Sequence, residues 1–148
     1  MDVKTTFLHG YLEEEIYMKQ HEGFIIKGKE ELLYKLKKSL YGLNQSPRMW
    51  YQKFDLYIQN LGFKRSQVDH CVYRKQVEDH FIYVALYVDD MLLVGNDMDL
   101  IKEVKQQLSS KFDMKDLRPT HFIIGMEIKR EKAFKKLWLS QKNILKEF

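Results

Sequence analysis

The chain has 148 residues, with 25 Lys and Arg against 21 Asp and Glu, for a formal net charge of +4. Hydrophobic residues make up 45% and aromatic residues 14%, enough for a core and too many for a disordered chain. The single cysteine excludes an internal disulfide and fits a reducing compartment. Nothing resembles a secretory leader, and no uncharged apolar run reaches the roughly 18 residues of a membrane span. The expectation is an intracellular protein, not secreted, with no membrane partner.

In chain order, Asp2 to Leu8 has strand character before a turn at Gly10. A strand with almost nothing before it reads as cut: either the chain begins in mid-domain, or Met1 is where a larger frame was opened. Glu13, Glu14 and Glu15 read as a solvated turn, and the charges around Gly23 and Gly28 as a surface loop. Leu32 to Leu36 predicts a short strand. Ser46 and Pro47 then predict a helix start, with the serine as N-cap and the proline at the first helical position. Trp50, Phe54, Ile58 and Leu61 recur at helical spacing and form a core face, and Gly62 closes the helix. Before it, Gly42, Asn44 and Gln45 give a polar loop feeding a helix N-terminus, where free N–H groups can meet an anion.

Cys71 to Lys75 predicts a strand, with Glu78 and Asp79 turning into the next one. Residues 96–112 predict an amphipathic helix, capped by Asp97 or Asp99, with Ile101, Val104, Leu108 and Phe112 on one face. His121 to Glu131 predicts a strand and Lys136 to Gln141 its hairpin partner. Ile144 to Phe148 opens a further helix. No repeat, low-complexity tract or linker interrupts the chain. The order of elements predicts an α+β fold, a largely antiparallel sheet with helices packed on one face.

The most informative stretch is FIYVALYVDDMLLVG, Phe81 to Gly95. Val, Ile, Tyr and Phe favour strand, and the apolar run is broken only by Asp89 and Asp90. The pattern predicts a hairpin with both carboxylates at its tip. Acidic residues at a tip are ordinarily just solvated. A tight turn, however, favours Gly-containing pairs, and two adjacent like charges repel, so the pair breaks a local rule. A divalent cation would remove the conflict. If Asp2 ends a strand beside this hairpin, three carboxylates converge from points far apart in sequence. Such a cluster suits phosphoryl transfer through two metal ions roughly 3.5–4 Å apart. Magnesium suits it best, because it takes few carboxylates and completes its shell with water and phosphate oxygens.

Six strings carry a family resemblance. They are DVKTTFLHGYLEEEIYM (Asp2 to Met18), KLKKSLYGLNQSPRMW (Lys35 to Trp50), LGFKRSQVDHCVY (Leu61 to Tyr73), YVDDMLLVG (Tyr87 to Gly95), KFDMKDL (Lys111 to Leu117), and FIIGMEI with LWLSQ. In this order they resemble the reverse transcriptase of copia-type long-terminal-repeat retrotransposons, part of a Pol polyprotein, over essentially the whole chain. The resemblance implies an RNA-directed DNA polymerase with a palm-type antiparallel sheet. It implies one partial domain over residues 1–148, with fingers and thumb incomplete. Asp2, Asp89 and Asp90 match the catalytic carboxylates, and Asp2 and Asp89 would be the main metal ligands. Phe7 resembles the aromatic gate against a ribose 2′-hydroxyl. Gln45 and Tyr87 would border the nucleotide. Arg48, Lys38, Gly125 and Met126 would contact template and primer, the last two within a primer-grip hairpin.

The implied cofactor is two Mg2+ ions, with Mn2+ as substitute. The implied partners are an RNA template, a DNA primer, deoxynucleoside triphosphates, and the RNase H and integrase regions of the polyprotein. The implied setting is the cytoplasm, in a virus-like particle, or the nucleus. Thr6, His21, Asn44 and Arg118 depart from the family's usual residues, the last where a turn glycine is common. Two classes of function stand open on these residues. One is a polymerase segment transferring nucleotides to a primer 3′-hydroxyl. The other is a catalytically inactive relic that binds nucleic acid through its basic surface.

Overall fold

Along His80–Tyr87, Ile82, Val84 and Leu86 are buried while Phe81, Tyr83 and Tyr87 are exposed. This period of two marks a sheet with one covered face. The computed structural model describes residues 1–117 and 120–141. Its strands are β1 (Asp2–Val3), β2 (Tyr17–Lys19), β3 (Leu33–Lys35), β4 (Lys64–Arg65), β5 (Val72–Val77), β6 (His80–Tyr87), β7 (Asp90–Gly95), β8 (Met114–Lys115), β9 (Phe122–Ile123), β10 (Met126–Glu131) and β11 (Lys136–Ser140). Two helices, α1 (Ser46–Asn60) and α2 (Met98–Lys111), complete an α+β fold built on antiparallel sheets.

The chain forms two compact units, the first Met1–Lys115 and the second from Asp116 onward. In the first, a six-stranded sheet runs β4-β5-β6-β7-β1-β8, with every pair antiparallel. Trp50, Phe54 and Ile58 of α1 and Val104 and Leu108 of α2 join Phe112, Tyr73, Val3 and Met91 in one core against its inner face. Burying a side chain such as Phe54 or Ile58 completely contributes roughly 1.5–3 kcal/mol each. The aromatic rings meet mostly edge-on: Trp50 with Phe112 at 5.1 Å and Phe54 with Tyr73 at 5.6 Å. Buried Tyr73 donates its hydroxyl to Asp55 of α1 at 2.9 Å, so the sheet and helix are also joined by a polar contact.

Several local expectations change. Asp2 to Leu8 is extended only at Asp2–Val3; the chain then turns at Thr5 (φ 49°) into a short 3-10 helix, Thr6–His9. Two hydroxyls hold that turn: Thr6 donates to the Val3 carbonyl at 2.7 Å, and buried Ser39 donates to the carbonyl of Phe7. Gly10 is required here, since a Cβ would lie 2.7 Å from the Met49 side chain. Ser46 does not cap α1. Its hydroxyl turns back to the Leu40 carbonyl at 2.6 Å, and Gln45 occupies the cap position. On α2 the cap is Asp97, which accepts from the Leu100 amide at 2.6 Å.

In the second unit, the strand expected over His121–Glu131 is a hairpin instead. β9 and β10 flank Ile124 (φ 49°) and Gly125 (φ 72°), and β11 pairs with β10. Two positive φ angles in a two-residue loop match the twist of an antiparallel pair. The helix expected from Ile144 and the departure at Arg118 lie outside the described residues. Among the described residues, no helix is long and apolar enough to cross a membrane.

Candidate active site

Asp2 of β1 stands in register with Asp90 of β7 on one side and Lys115 of β8 on the other. Asp90 in turn pairs with Tyr87 of β6. Directly opposed residues of antiparallel strands share a face. Tyr87, Asp90, Asp2 and Lys115 therefore form one row across four strands, on the face opposite the helices. The alternation confirms it, because Leu86, Met91, Met1 and Val3 beside them are buried. A ladder that buries its apolar residues on one side must present these polar ones on the other.

The hairpin tip differs from the expected one. Its two turn residues are Val88 and Asp89, and Asp90 already belongs to β7. Val88 has φ 56°, a conformation that a β-branched residue adopts only under strain, at about 1–3 kcal/mol. The surroundings hold it there. The Trp50 indole N–H donates to the Val88 carbonyl at 2.8 Å, and the Val3 amide donates to the Asp89 carbonyl at 2.9 Å. The Met91 amide donates to the Met1 carbonyl at 2.8 Å. The tip is thus clamped from α1 on one side and from β1 on the other.

None of the carboxylates of Asp2, Asp89 and Asp90 has a hydrogen bond or ion pair among the described residues. No three of the His, Cys, Asp and Glu side chains described gather closely enough to hold a metal ion. Asp89 lies in the turn, outside the ladder, so it is not part of the row that Asp90 and Asp2 share. The donor set is nevertheless one of hard, unpaired oxygens on adjoining positions, which is what magnesium takes.

Phe7 lies on the 3-10 helix, and its ring meets that of Tyr41 edge-on at 4.9 Å. Tyr41 is 59% exposed and precedes Gly42, whose φ of 91° turns the loop toward α1. Gln45 and Arg48 converge instead on Glu14. The Gln45 amide donates to one carboxylate oxygen at 3.0 Å, and the Arg48 guanidinium stands 3.5 Å from the other. The acidic triplet expected as a solvated turn thus engages both, and Glu15 pairs with Lys35. Lys38 is exposed beside an isolated backbone bridge to Tyr11. Gly125 lies in the β9–β10 turn of the second unit, and Met126 opens β10 opposite Ile123.

Three neighbours of the candidate site residues were not anticipated from sequence: Lys115, Tyr41 and the indole of Trp50. Lys115 carried no signal, because only strand register puts it beside Asp2. Tyr41 stood next to the one loop singled out for its glycine. Trp50 was read correctly as core, but its N–H also needed a partner.

The family described as reverse transcriptase (RNA-dependent DNA polymerase) matches residues 1–148. The chain is 54% identical over 146 residues to the retrovirus-related Pol polyprotein from transposon TNT 1-94 of Nicotiana tabacum, covering 98% of this chain and 11% of that protein. It is 39% identical over 130 residues to the Pol polyprotein from transposon RE1 of Arabidopsis thaliana, covering 88% and 9%. It is 34% identical over 128 residues to the putative transposon Ty5-1 protein YCL074W of Saccharomyces cerevisiae, covering 86% and 42%. The chain spans about a tenth of the length of the first two. No solved structure matches.

Proposed function

This chain belongs to the copia-type retrotransposon reverse transcriptase family, and from that premise we propose that it acts as the catalytic palm of an RNA-directed DNA polymerase. Its substrates are a primer 3′-hydroxyl on an RNA or DNA template and deoxynucleoside triphosphates. The observation that carries the reading is the register of Asp2 with Asp90, with Asp89 in the clamped turn beside them. Residues 1–148 then form one partial domain. The six-stranded sheet and its helices are palm, the β2–β3 ribbon belongs to the fingers, and the β9–β10 turn with Gly125 and Met126 is the primer grip.

The family uses divalent metal ions, and two Mg2+ would supply positive charge to activate the 3′-hydroxyl and steady the leaving diphosphate. The chain's own residues position and orient. Asp2 and Asp89 would hold the ions, with Asp90 as the third carboxylate. Trp50 and Val3 hold the turn, so the carboxylates need little reorganisation when charge develops. Phe7 and Tyr41 together wall the deoxyribose side of the nucleotide, and Tyr87 borders it from the row above. Lys115 stands opposite Asp2 in the strand register. Arg48 and Lys38 take template or primer phosphate, for which Arg48 must leave Glu14.

Primer extension by the folded chain on an RNA template with a DNA primer and Mg2+ tests this. Replacing Asp89 and Asp90 together by Asn is expected to lower extension at least about a hundredfold to a thousandfold. Millimolar Mg2+ should raise the melting temperature of the wild type but not of Asp89→Asn. A folded wild type that binds a template–primer hybrid yet extends nothing would instead favour the inactive relic.

A further inference from the structure

A second charged feature of the first unit involves no carboxylate of the proposed active site. Lys53 of α1 donates its ammonium to the His9 carbonyl at 2.6 Å and stands 4.5 Å over the ring of Tyr11. The backbone of Tyr11 bridges to Lys38. Lys111, at the end of α2, lies 5.8 Å over the ring of Tyr57, which is on α1 one turn beyond Lys53. His9 itself packs edge-on to Phe112 at 5.5 Å. Three features make this more than a solvated face.

The first is missing compensation. Lys4, Lys35, Arg48, Arg65, Lys102 and Lys129 each have a carboxylate at ion-pair distance. Among the described residues, Lys38, Lys53 and Lys111 have none. Others, Lys37 and Lys64 among them, also lack one, but these three lie close enough for the charges of Lys38 and Lys111 to act on Lys53. The nearby Asp113 is engaged with Lys4 at 3.0 Å. The second is mutual repulsion. Burial lowers the Lys53 pKa, and the charges of Lys38 and Lys111 lower it further. His9 is depressed by its own burial and by Lys53 and Lys38. The third is rigidity, since Lys53 is partly buried and fixed to a carbonyl rather than free to swing away. Like charges gathered and pinned without a counter-ion cost folding free energy, and an anion bound there would recover it. Tyr11, 61% exposed beside them, adds a flat ring to the cations, the combination that suits a nucleic-acid strand over an acidic peptide.

We propose that Lys38, Lys53 and Lys111, with Tyr11, form a phosphate-binding site for a nucleic-acid strand outside the carboxylate row. The proposal rests on the polymerase reading above and extends the template and primer contacts to α1 and the end of α2. The test is the salt dependence of binding to a fluorescent RNA–DNA hybrid, measured by anisotropy on the whole chain. Each lost phosphate contact should flatten the log–log slope by about 0.9. Lys38→Met with Lys53→Met should therefore flatten it by about 1.8, and adding Lys111→Met should flatten it further. Lys53→Arg should keep the wild-type slope. So should Lys102→Met, whose ammonium pairs with Asp99 at 2.8 Å.

Circular dichroism and melting temperature confirm that each variant is folded. A triple variant that is folded and keeps the wild-type slope overturns the site, and with it the Lys38 phosphate contact, while leaving the carboxylate chemistry of the polymerase reading intact. The site is equally overturned if the lysines govern binding of polyglutamate but not of the hybrid. A wild type that binds no hybrid overturns both the site and the polymerase reading.

Discussion

The six-stranded sheet and the β2–β3 ribbon are both antiparallel, and both are rich in aromatic and aliphatic residues, yet only one has an inside. Ile82 and Val84 are 0% exposed, whereas Tyr17, Met18, Leu33 and Tyr34 of the ribbon are all exposed. The difference lies in what covers them. Two amphipathic helices close one face of the sheet. The ribbon and its loop are instead pinned by polar contacts: the Gln20 amide donates to the carbonyls of Lys29 at 2.6 Å and Leu32 at 3.0 Å, and its oxygen accepts from the Ile26 amide at 2.8 Å. Strand propensity is enough to draw a ladder. Burial needs a partner of matching shape. The carboxylate row sits on the sheet, where rigidity is available, and its turn borrows two of its clamps from the core side.

The contrast is open to measurement. The largest effect is expected from Phe54→Ala, which empties the junction of Trp50, Tyr73 and Phe112 and should cost about 3–5 kcal/mol in urea unfolding. Leu33→Ala on the ribbon should change stability by no more than about 0.5 kcal/mol. Equal losses from the two would show that the ribbon shares the core after all.

Tyr73→Phe sharpens the sheet side alone. Burial, with the hydrogen bonds to Tyr51 and Asp55, holds this phenol far above its usual pKa, so it stays a neutral donor. Removing the hydroxyl leaves Asp55 to Arg65 and Gln59 and should cost about 1–1.5 kcal/mol. Primer extension should be unchanged, since Tyr73 lies on the buried face. A loss of extension without a loss of stability would contradict this placement.

The smallest effect concerns His9, packed between Trp50 and Phe112. Burial and the charges of Lys53 and Lys38 lower its pKa, opposed by its bond to the Lys4 carbonyl and by Asp113. With the folded value below the unfolded one, the unfolded chain takes up the proton first as pH falls below about 6.5. His9 therefore destabilises the fold progressively below that pH and has no such effect above it. The stability of wild type relative to His9→Gln should drop between about pH 6.5 and 5 and be flat from 7 to 8. A flat difference throughout would mean the imidazole titrates normally.

Much of this was legible in the chain because it depends on local period. The helices over Trp50–Leu61 and Ile101–Phe112 follow from apolar spacing, and their buried residues Phe54, Ile58, Val104 and Leu108 are the expected ones. The β6 strand follows from alternation. The convergence of carboxylates hinged on Asp2 lying beside the acidic hairpin, and the register pairs Asp2 with Asp90. Boundaries were less legible where a side chain had a non-local alternative. Ser46 abandons the cap for the Leu40 carbonyl, and Thr6 and Ser39 bend the chain after Val3. Gln45 and Arg48, which the resemblance assigns to nucleotide and template, both contact Glu14, thirty-one and thirty-four residues away.

The sequence by itself determined the alternating strands, the two amphipathic helices and the acidic pair, since these rest on neighbours within a few residues. The tertiary structure alone decided that Val88 rather than Asp90 takes the turn, that Lys115 stands beside Asp2, and that Lys38, Lys53 and Lys111 share one neighbourhood. Those outcomes depend on strand register and on how helix ends meet the sheet. Both are set by packing the core as a whole, and no local pattern encodes that sum.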